Sequence, residues 1–446
     1  MPPKPDSIAA IATAPGRGGI GVVRVSGHDL ATLAHVMVGK TPLPRLATYA
    51  SFLDAQGQIL DQGLVLFFPA PQSYTGEDVL EFQGHGGVAV LQLVLQRCLD
   101  LGARLAQPGE FTQRAFLNNK LDLAQAESVA DLIAATTSQS ARSAMRSLQG
   151  EFSQAIYRLV EQLIHLRMLV EAMMDFPEEE IGALDIGRRD EQLKHLQQQL
   201  DHILNLAQQG SLLRQGAHIV LVGQPNVGKS SLLNCLSKED VALVSAIPGT
   251  TRDVLRQAIQ IRGVPLHIVD TAGLRESQDE VEQMGMARTR SAVDKADAIL
   301  IVMDSNEPLV AETQKILNVL PPHIPRLYIH NKVDMLSRAS GEETHGEETH
   351  IYLSAKTRAG IELLQEKLLT LIGWQQEAGI FMARERHLVA LRAARNHLQD
   401  ATQALKLPEL LAEELRLAQE ALNSITGEFN ADDLLGEIFS SFCIGK

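Results

Sequence analysis

The sequence predicts a multidomain protein: an N-terminal α+β domain, a helical domain supplied by two separated segments, and between those segments an inserted α/β domain built on a P-loop. Three observations predict it. At 446 residues the chain is long for one hydrophobic core. The stretch from His218 to Asn234 is an apolar, β-branched run, then Gly223-x4-Gly228-Lys229-Ser230, then a helical pattern; strand, loop and helix follow one another as a phosphate-binding loop requires. Helical periodicity runs from Leu121 to about Leu213, stops, and resumes after Trp374. Two helical pieces flanking an insertion most economically form one domain. The expected boundaries are 1–118, 119–213, 214–374 and 375–446.

Taken in order, Ser7 to Ala14 is small and apolar, Pro15-Gly16-Arg17-Gly18-Gly19 is a turn, and Ile20 to Val25 is β-branched. Gly16 to Gly21 formally matches G-x-G-x-x-G. A dinucleotide fingerprint opens a helix after its strand, whereas this one opens another strand, so that reading is rejected. Alternation recurs in Gly63 to Phe68 and Asp78 to Gln83, and a helical stripe runs from Val88 to Leu99. From Leu121 the pattern is helical, with Leu159, Leu163, Leu166 and Val170 on one face. Pro177 interrupts it, and Glu178-Glu179-Glu180 suits the charged start of another segment. Beyond Trp374, Leu411, Leu415, Ala418 and Leu422 share a face. The tandem Gly341-Glu342-Glu343-Thr344-His345 and Gly346-Glu347-Glu348-Thr349-His350 reads as a low-complexity surface loop without core value, its two histidines solvated in preference to serving as metal ligands.

Composition narrows the class. A hydrophobic share of 45% with 21% charged residues is ordinary for a soluble globular protein. The formal net charge is -14, and the excess acid falls in the helical segments. A protein that gripped nucleic acid alone through many phosphates would be basic, so any RNA contact needs a local patch or a basic partner. Cys98, Cys235 and Cys443 are far apart without CxxC spacing, which argues against a zinc site or a disulfide framework and suits a reducing compartment. Met1 to Asp6 holds no signal-peptide core and no apolar run approaches a membrane span, so the expectation is a cytoplasmic protein with no membrane role.

The inserted domain carries a consistent set of nucleotide motifs. Glycines such as Gly223 and Gly228 let the backbone N-H groups of Asn226, Val227, Gly228, Lys229, Ser230 and Ser231 face an anion. Lys229 can reach β- and γ-phosphate oxygens, and the Ser230 hydroxyl can ligate Mg2+. His267 to Gly273 is a strand ending in Asp-x-x-Gly: Asp270 would hold Mg2+ through water, and the Gly273 N-H can meet the γ-phosphate. Leu327 to Asp334 is a strand followed by Asn331-Lys332-x-Asp334. The Asp334 carboxylate can accept from both the ring N-H and the exocyclic amine of guanine; adenine offers neither donor there, a mismatch worth roughly 5 kcal/mol. The nucleotide is therefore GTP. Ser354-Ala355-Lys356, after another strand, completes the set, with the Ala355 N-H placed for the guanine carbonyl.

Between the first two motifs lies Ser245 to Asp253, where the Thr251 hydroxyl would complete the Mg2+ shell once the γ-phosphate is present, making a two-state loop. Leu274 stands where Ras-like proteins carry a water-orienting glutamine, and leucine cannot polarise water. Asp279, Glu280 and Glu282 are the candidates for that task.

Asn226, Gly249-Thr250-Thr251-Arg252-Asp253, Asp270 to Glu276 and the closing Phe442-Cys443-Ile444-Gly445-Lys446 closely resemble the MnmE (TrmE) family of tRNA-modifying GTPases. So do Ala14 to Gly19, Gly76 to Glu81, Pro108 to Thr112 and Lys120 to Leu123; the resemblance covers nearly the whole chain. It implies a Ras-like G domain whose GTPase activity requires K+ and G-domain dimerisation. K+ would be ligated by Asn226, by the backbone oxygens of Ser245 and Ile247, and by Thr250; Glu282 would orient the attacking water. The N-terminal domain resembles tetrahydrofolate-binding one-carbon enzymes, implying a homodimer that binds a 5-formyl- or 5,10-methylene-tetrahydrofolate through Arg24, Glu81, Lys120 and Lys446. On the residues alone, Arg24 and Glu81 also read as a structural ion pair between two strands. The resemblance further implies an FAD-containing MnmG (GidA)-type flavoprotein partner in a heterotetramer, acting at carbon 5 of the wobble uridine (U34) of certain tRNAs. Cys443 stays open as a nucleophile or a packed thiol. A regulatory or ribosome-assembly GTPase and a folate-dependent one-carbon enzyme are the alternative classes; no basic RNA-binding appendage favours the first.

Overall fold

A computed structural model describes residues 6–175, 183–237, 256–270, 293–306, 320–336, 338–427, 438–440, 442 and 445. The strands, in chain order, are β1 (Ile8–Ile11), β2 (Gly18–Gly27), β3 (Thr48–Leu53), β4 (Ile59–Phe68), β5 (Asp78–Gly86), β6 (Arg104–Leu105), β7 (Ala217–Val222), β8 (Arg256–Ile261), β9 (Val264–Asp270), β10 (Ala298–Asp304), β11 (Arg326–Asn331), β12 (Gly341–His345) and β13 (Glu348–Tyr352). The described helices are α1 (Leu30–Val38), α2 (Val88–Asp100), α3 (Glu110–Leu117), α4 (Leu123–Ala134), α5 (Ser138–Leu148), α6 (Glu151–Asp175), α7 (Ala183–Gln215), α8 (Lys229–Ser237), α9 (Ile361–Leu371), α10 (Glu385–Gln403) and α11 (Pro408–Thr426). The chain forms two units, one of residues 1–130, 147–196 and 393–446, the other of residues 131–146 and 197–392.

In the first unit a six-stranded sheet runs β3-β4-β5-β2-β1-β6. Alternation along the strands puts Val23, Val25, Val65, Phe67, Leu80 and Phe82 on one face, where α1 and α2 cover them with Leu30, Met37, Leu91 and Val94. The rejected dinucleotide motif lies at the β1-β2 hairpin, with a β-bulge between Gly18 and Gly21. The antiparallel alternation extends further than the sequence pattern suggested: β4 begins at Ile59 and β5 continues to Gly86. Helices α6 and α11 bury the two stripes read from periodicity, Leu159, Leu163, Leu166 and Val170 on one, Leu411, Leu415, Ala418 and Leu422 on the other. Ile438, Phe439 and Phe442 pack with Leu123 and Ala126 at the start of α4 and with Phe116.

The second unit holds a seven-stranded sheet ordered β12-β13-β11-β10-β7-β9-β8. β9, β7, β10, β11 and β13 are parallel, with antiparallel β8 and β12 at the edges. Val220, Val222, Ile299, Ile301 and Tyr328 build one face of its core. The order places successive strands on either side of β7, so the C-terminal ends of β7 and β10 form a topological switch point, where open α/β sheets bind ligands. Thr137 caps α5: its Oγ1 accepts from Ser140 N (3.0 Å) and donates to the Gly263 carbonyl (2.8 Å) at the β8-β9 turn.

The tandem repeat departs from expectation. It is a hairpin, β12 paired antiparallel with β13, and not a loop. Each Glu-Glu-Thr-His run alternates polar side chains across the two faces of a strand, and the first copy's His345-Gly346 lies at the reversal, where Gly346 adopts φ 65°. His350 is buried, stacked against the rings of Tyr328 and His330 at 4.7 and 5.2 Å. Burial holds the His330 imidazolium unfavourable and pulls its pKa down to about 4. Among the described residues no helix is long and apolar enough to cross a membrane. The break expected at Pro177 and Glu178 to Glu180 lies outside the described residues.

Candidate functional site

The motifs of the second unit converge because each follows the C-terminal end of a parallel strand. β7 leads into the P-loop, β9 ends at Asp270, β10 at Asp304, β11 at Asn331, and β13 leads to Ser354. Glycine is required twice in the P-loop. A Cβ on Gly223 would lie 2.2 Å from the Val302 carbonyl oxygen, and one on Gly228, which sits at φ 96°, would lie 2.3 Å from Asn331 Nδ2. Asn226 also takes a left-handed conformation, at φ 64°. Helix α8 starts at Lys229, so Ser230 and Ser231 occupy its first turn, where unpaired N-H groups favour an anion. The buried Lys229 donates through Nζ to the carbonyls of Gly223 (2.6 Å) and Gln224 (2.9 Å), which fixes the ammonium against the loop.

Asn331 is the joint between three motifs. Its Nδ2 donates to the Val227 carbonyl of the P-loop (2.9 Å), while its Oδ1 accepts from Lys332 N (2.8 Å) and Ala355 N (3.0 Å). It is only 3% exposed. Ser354, fully buried, donates from Oγ to Asp334 Oδ1 (2.6 Å) and accepts from Thr357 N (3.1 Å), which orients an exposed carboxylate at the mouth of the site. Lys332, at φ 70°, extends its ammonium to Asp304 Oδ2 (2.7 Å). Partial burial raises the Asp304 pKa, but hydrogen bonds from Lys332 and Asn306 outweigh it and hold the carboxyl below its ordinary value. Lys356 follows on the same loop as Ala355.

Asp304 was not singled out in the sequence, although the signal existed: β10 is an apolar run ending in Asp304, register partner of Asn331. Ser245, Ile247, Thr250, Thr251, Gly273 and Glu282 lie outside the described residues, as do Leu274, Asp279 and Glu280. The same holds for Cys443 and Lys446.

In the first unit Arg24 and Glu81 are direct cross-strand partners of β2 and β5. Arg24 meets Glu81 Oε1 through Nε (2.9 Å) and through its terminal nitrogen (2.8 Å). Its other nitrogen donates to the Gly445 carbonyl (3.3 Å), and its guanidinium lies 5.9 and 5.8 Å from the ring centroids of Tyr74 and Phe111. Gln83 donates to Glu81 Oε2 (3.2 Å). Lys120 donates to the Pro71 carbonyl (3.1 Å), three residues before Tyr74. The motif blocks around Glu77 and Glu110 also do structural work. Arg114 donates to Glu77 Oε2 (2.9 Å) and Glu110 Oε1 (3.0 Å), Arg104 donates to Glu110 Oε2 (2.8 Å), and Ser26 donates to Glu77 Oε2 (2.9 Å).

Two family descriptions match the chain: the MnmE helical domain over residues 123–443 and the GTP-binding protein TrmE N-terminus over residues 7–120. The chain belongs to the MnmE (TrmE) family. Its relatives include the tRNA modification GTPase MnmE of Nitrosospira multiformis, 60% identical with 99% of each chain covered. That of Chromobacterium violaceum is 56% identical, again over 99% of each. Era from Aquifex aeolicus, solved with GDP and AlF4-, is 25% identical over 41% of this chain and 66% of its own, with a TM-score of 0.29, too low to inform function. As an MnmE family member the chain is a GTPase, and its fold is the multidomain one expected: an α+β N-terminal domain, helices, and a P-loop α/β domain.

Proposed function

We propose that this chain is a K+-dependent GTPase that, with an FAD-containing flavoprotein, installs a C5 aminomethyl-type group on the wobble uridine of certain tRNAs. The observation that carries the guanine half is Asn331 joining the P-loop, Lys332 and Ala355, beside an Asp334 whose plane is set by Ser354. The tRNA half rests on the full-length relatives named tRNA modification GTPase.

In this reading the loop from Gly223 to Ser231 wraps the phosphates, and Lys229 turns from the Gly223 and Gln224 carbonyls to the β- and γ-oxygens. Asp334 accepts both guanine donors, Ala355 N-H meets the guanine carbonyl, and Asp304 restrains Lys332 beside the base. The Ser230 hydroxyl on the first turn of α8 suits Mg2+, with Thr251 completing the shell and Asp270 acting through water. Asn226, held on the outer rim of the P-loop by its left-handed backbone, offers a side-chain oxygen for K+, together with Ser245, Ile247 and Thr250. A monovalent cation there supplies positive charge beside the β- and γ-phosphates, where an arginine finger is worth about 10^3 to 10^5 in rate. Glu282 orients the water, since Leu274 cannot.

The N-terminal domain binds a tetrahydrofolate derivative. The Arg24-Glu81 pair fits a donor-rich pterin edge and an anionic tail: each member spends one face on the other, and the second, now on Gln83 for Glu81 and on the Gly445 carbonyl for Arg24, would exchange that contact for ligand. Lys120 and Lys446 add cations. Residues 1–118 serve as the homodimerising part, 214–374 as the G domain, and the flanking segments as one helical domain; the protein works in the cytoplasm. Replacing K+ by Na+ at constant ionic strength is expected to lower the GTP turnover of the purified chain at least tenfold. Equal turnover in the two salts would remove the K+ assignment.

A further inference from the structure

The face of the β12-β13 hairpin that continues onto β11 gathers imidazoles and carboxylates that the nucleotide site does not use. We propose that Glu343, His345, Glu348 and His350 form a binding site for a borderline transition-metal ion of the Zn2+ class. Antiparallel pairing sets Glu343 opposite His350 and His345 opposite Glu348, so the two copies of the tandem repeat complete a square of two imidazoles and two carboxylates.

Three observations support a metal and not a set of ordinary ion pairs. First, the nitrogen-oxygen separations are 3.5 Å between His345 Nε2 and Glu343 Oε2 and 3.7 Å between His350 Nε2 and Glu348 Oε2. Neither is a good hydrogen bond. Both are close to the edge of about 3.4 Å between neighbouring ligands of a tetrahedral ion with bonds of roughly 2.0 to 2.2 Å. Second, His350 Nε2 is buried and has no hydrogen-bond partner, an orphan acceptor or donor that ligation would satisfy. Third, the outer contacts already orient the ligands. His350 Nδ1 lies 2.9 Å from His330 Nε2; with the proton on His350 Nδ1, donated to His330, the Nε2 lone pair points at the site. Tyr328 donates its hydroxyl to Glu348 Oε1 (2.7 Å), leaving Oε2 for the ion.

Among the described residues no three such side chains yet converge on one point. Capture therefore needs a small closure, and the groups that must turn lie at exposed positions, Glu348 turning about the oxygen that Tyr328 holds and Glu343 leaving Arg338. The side chains of His345, Glu343 and Glu348 are 58%, 48% and 54% exposed, whereas His350 is fixed. Glu343, which also pairs with Arg338, is the ligand most easily exchanged for water. Nitrogen donors select Zn2+ over Mg2+, which keeps this site apart from the nucleotide's metal.

The test is titration of the full, nucleotide-free chain with Zn2+ in competition with a chromogenic chelator, in excess Mg2+. The wild type is expected to bind one more equivalent than His345→Ala, a change at an exposed position, and than His350→Ala. His330→Phe should weaken that equivalent by about 10- to 100-fold, as loss of a partner that orients a ligand does. Zn2+ stoichiometry and affinity that are the same in the wild type and in His345→Ala, or no Zn2+ bound by the wild type, would overturn the site.

Discussion

At the scale of single residues, Asn331 joins the motifs of the candidate nucleotide site through three protein backbone groups. Asn331→Ala strands the Val227 carbonyl and the N-H groups of Lys332 and Ala355 in a place that is almost fully buried. Each stranded group costs about 1 to 3 kcal/mol. The expected result is a GDP affinity lower by about 10- to 100-fold, read by displacement of a fluorescent analogue, with the far-ultraviolet circular dichroism unchanged. In the first unit the carboxylates are the sensitive residues. Burial raises the Glu110 pKa, but Arg104, the Gln107 N-H and Arg114 outweigh it, so the carboxyl sits below its ordinary value of 4.5. Asp6 is lowered first by its hydrogen bond from Arg104. A depressed folded pKa contributes stability that is present above the unfolded value and is lost as pH falls through the folded one. Urea midpoints should therefore drop between pH 5 and about pH 3, and Glu110→Gln should flatten that slope.

Elements were legible in the sequence where one period dominated. The stripes of α6 and α11 and the alternation of β2, β4 and β5 needed only the spacing of apolar residues, because one face of each is buried and the other is not. The joint at Asn331 and its neighbour Asp304 were legible only in part: the motif named Asn331, but its bond to Val227 depends on the sheet order that brings β11 and β7 to either side of β10. The tandem repeat was misread because glutamate, threonine and histidine in a polar run look like a solvated loop. Pairing against β11 turns the same residues into a strand with one ring-stacked face. Packing between α6 and α11 gives the element-scale prediction. Leu163, fully buried on α6, should cost about 2 to 5 kcal/mol as Leu163→Ala. The loss should show in the denaturant-induced unfolding of the first unit while GTP affinity stays unchanged.

For the whole molecule, the proposed function implies a division of labour. A chain of net charge -14 is poorly suited to hold tRNA alone, which is consistent with a basic partner sharing the task. GTP turnover and base chemistry would then be separate capacities, one belonging to this chain and the other to the assembly. The direct test is reconstitution of the purified chain with the flavoprotein, GTP, K+, a methylene-donating folate and unmodified tRNA, followed by mass spectrometry of the wobble nucleoside. The account predicts a uridine carrying a C5 aminomethyl-type group that is absent when GTP is withheld. An unmodified wobble uridine while GTP is being hydrolysed would contradict it.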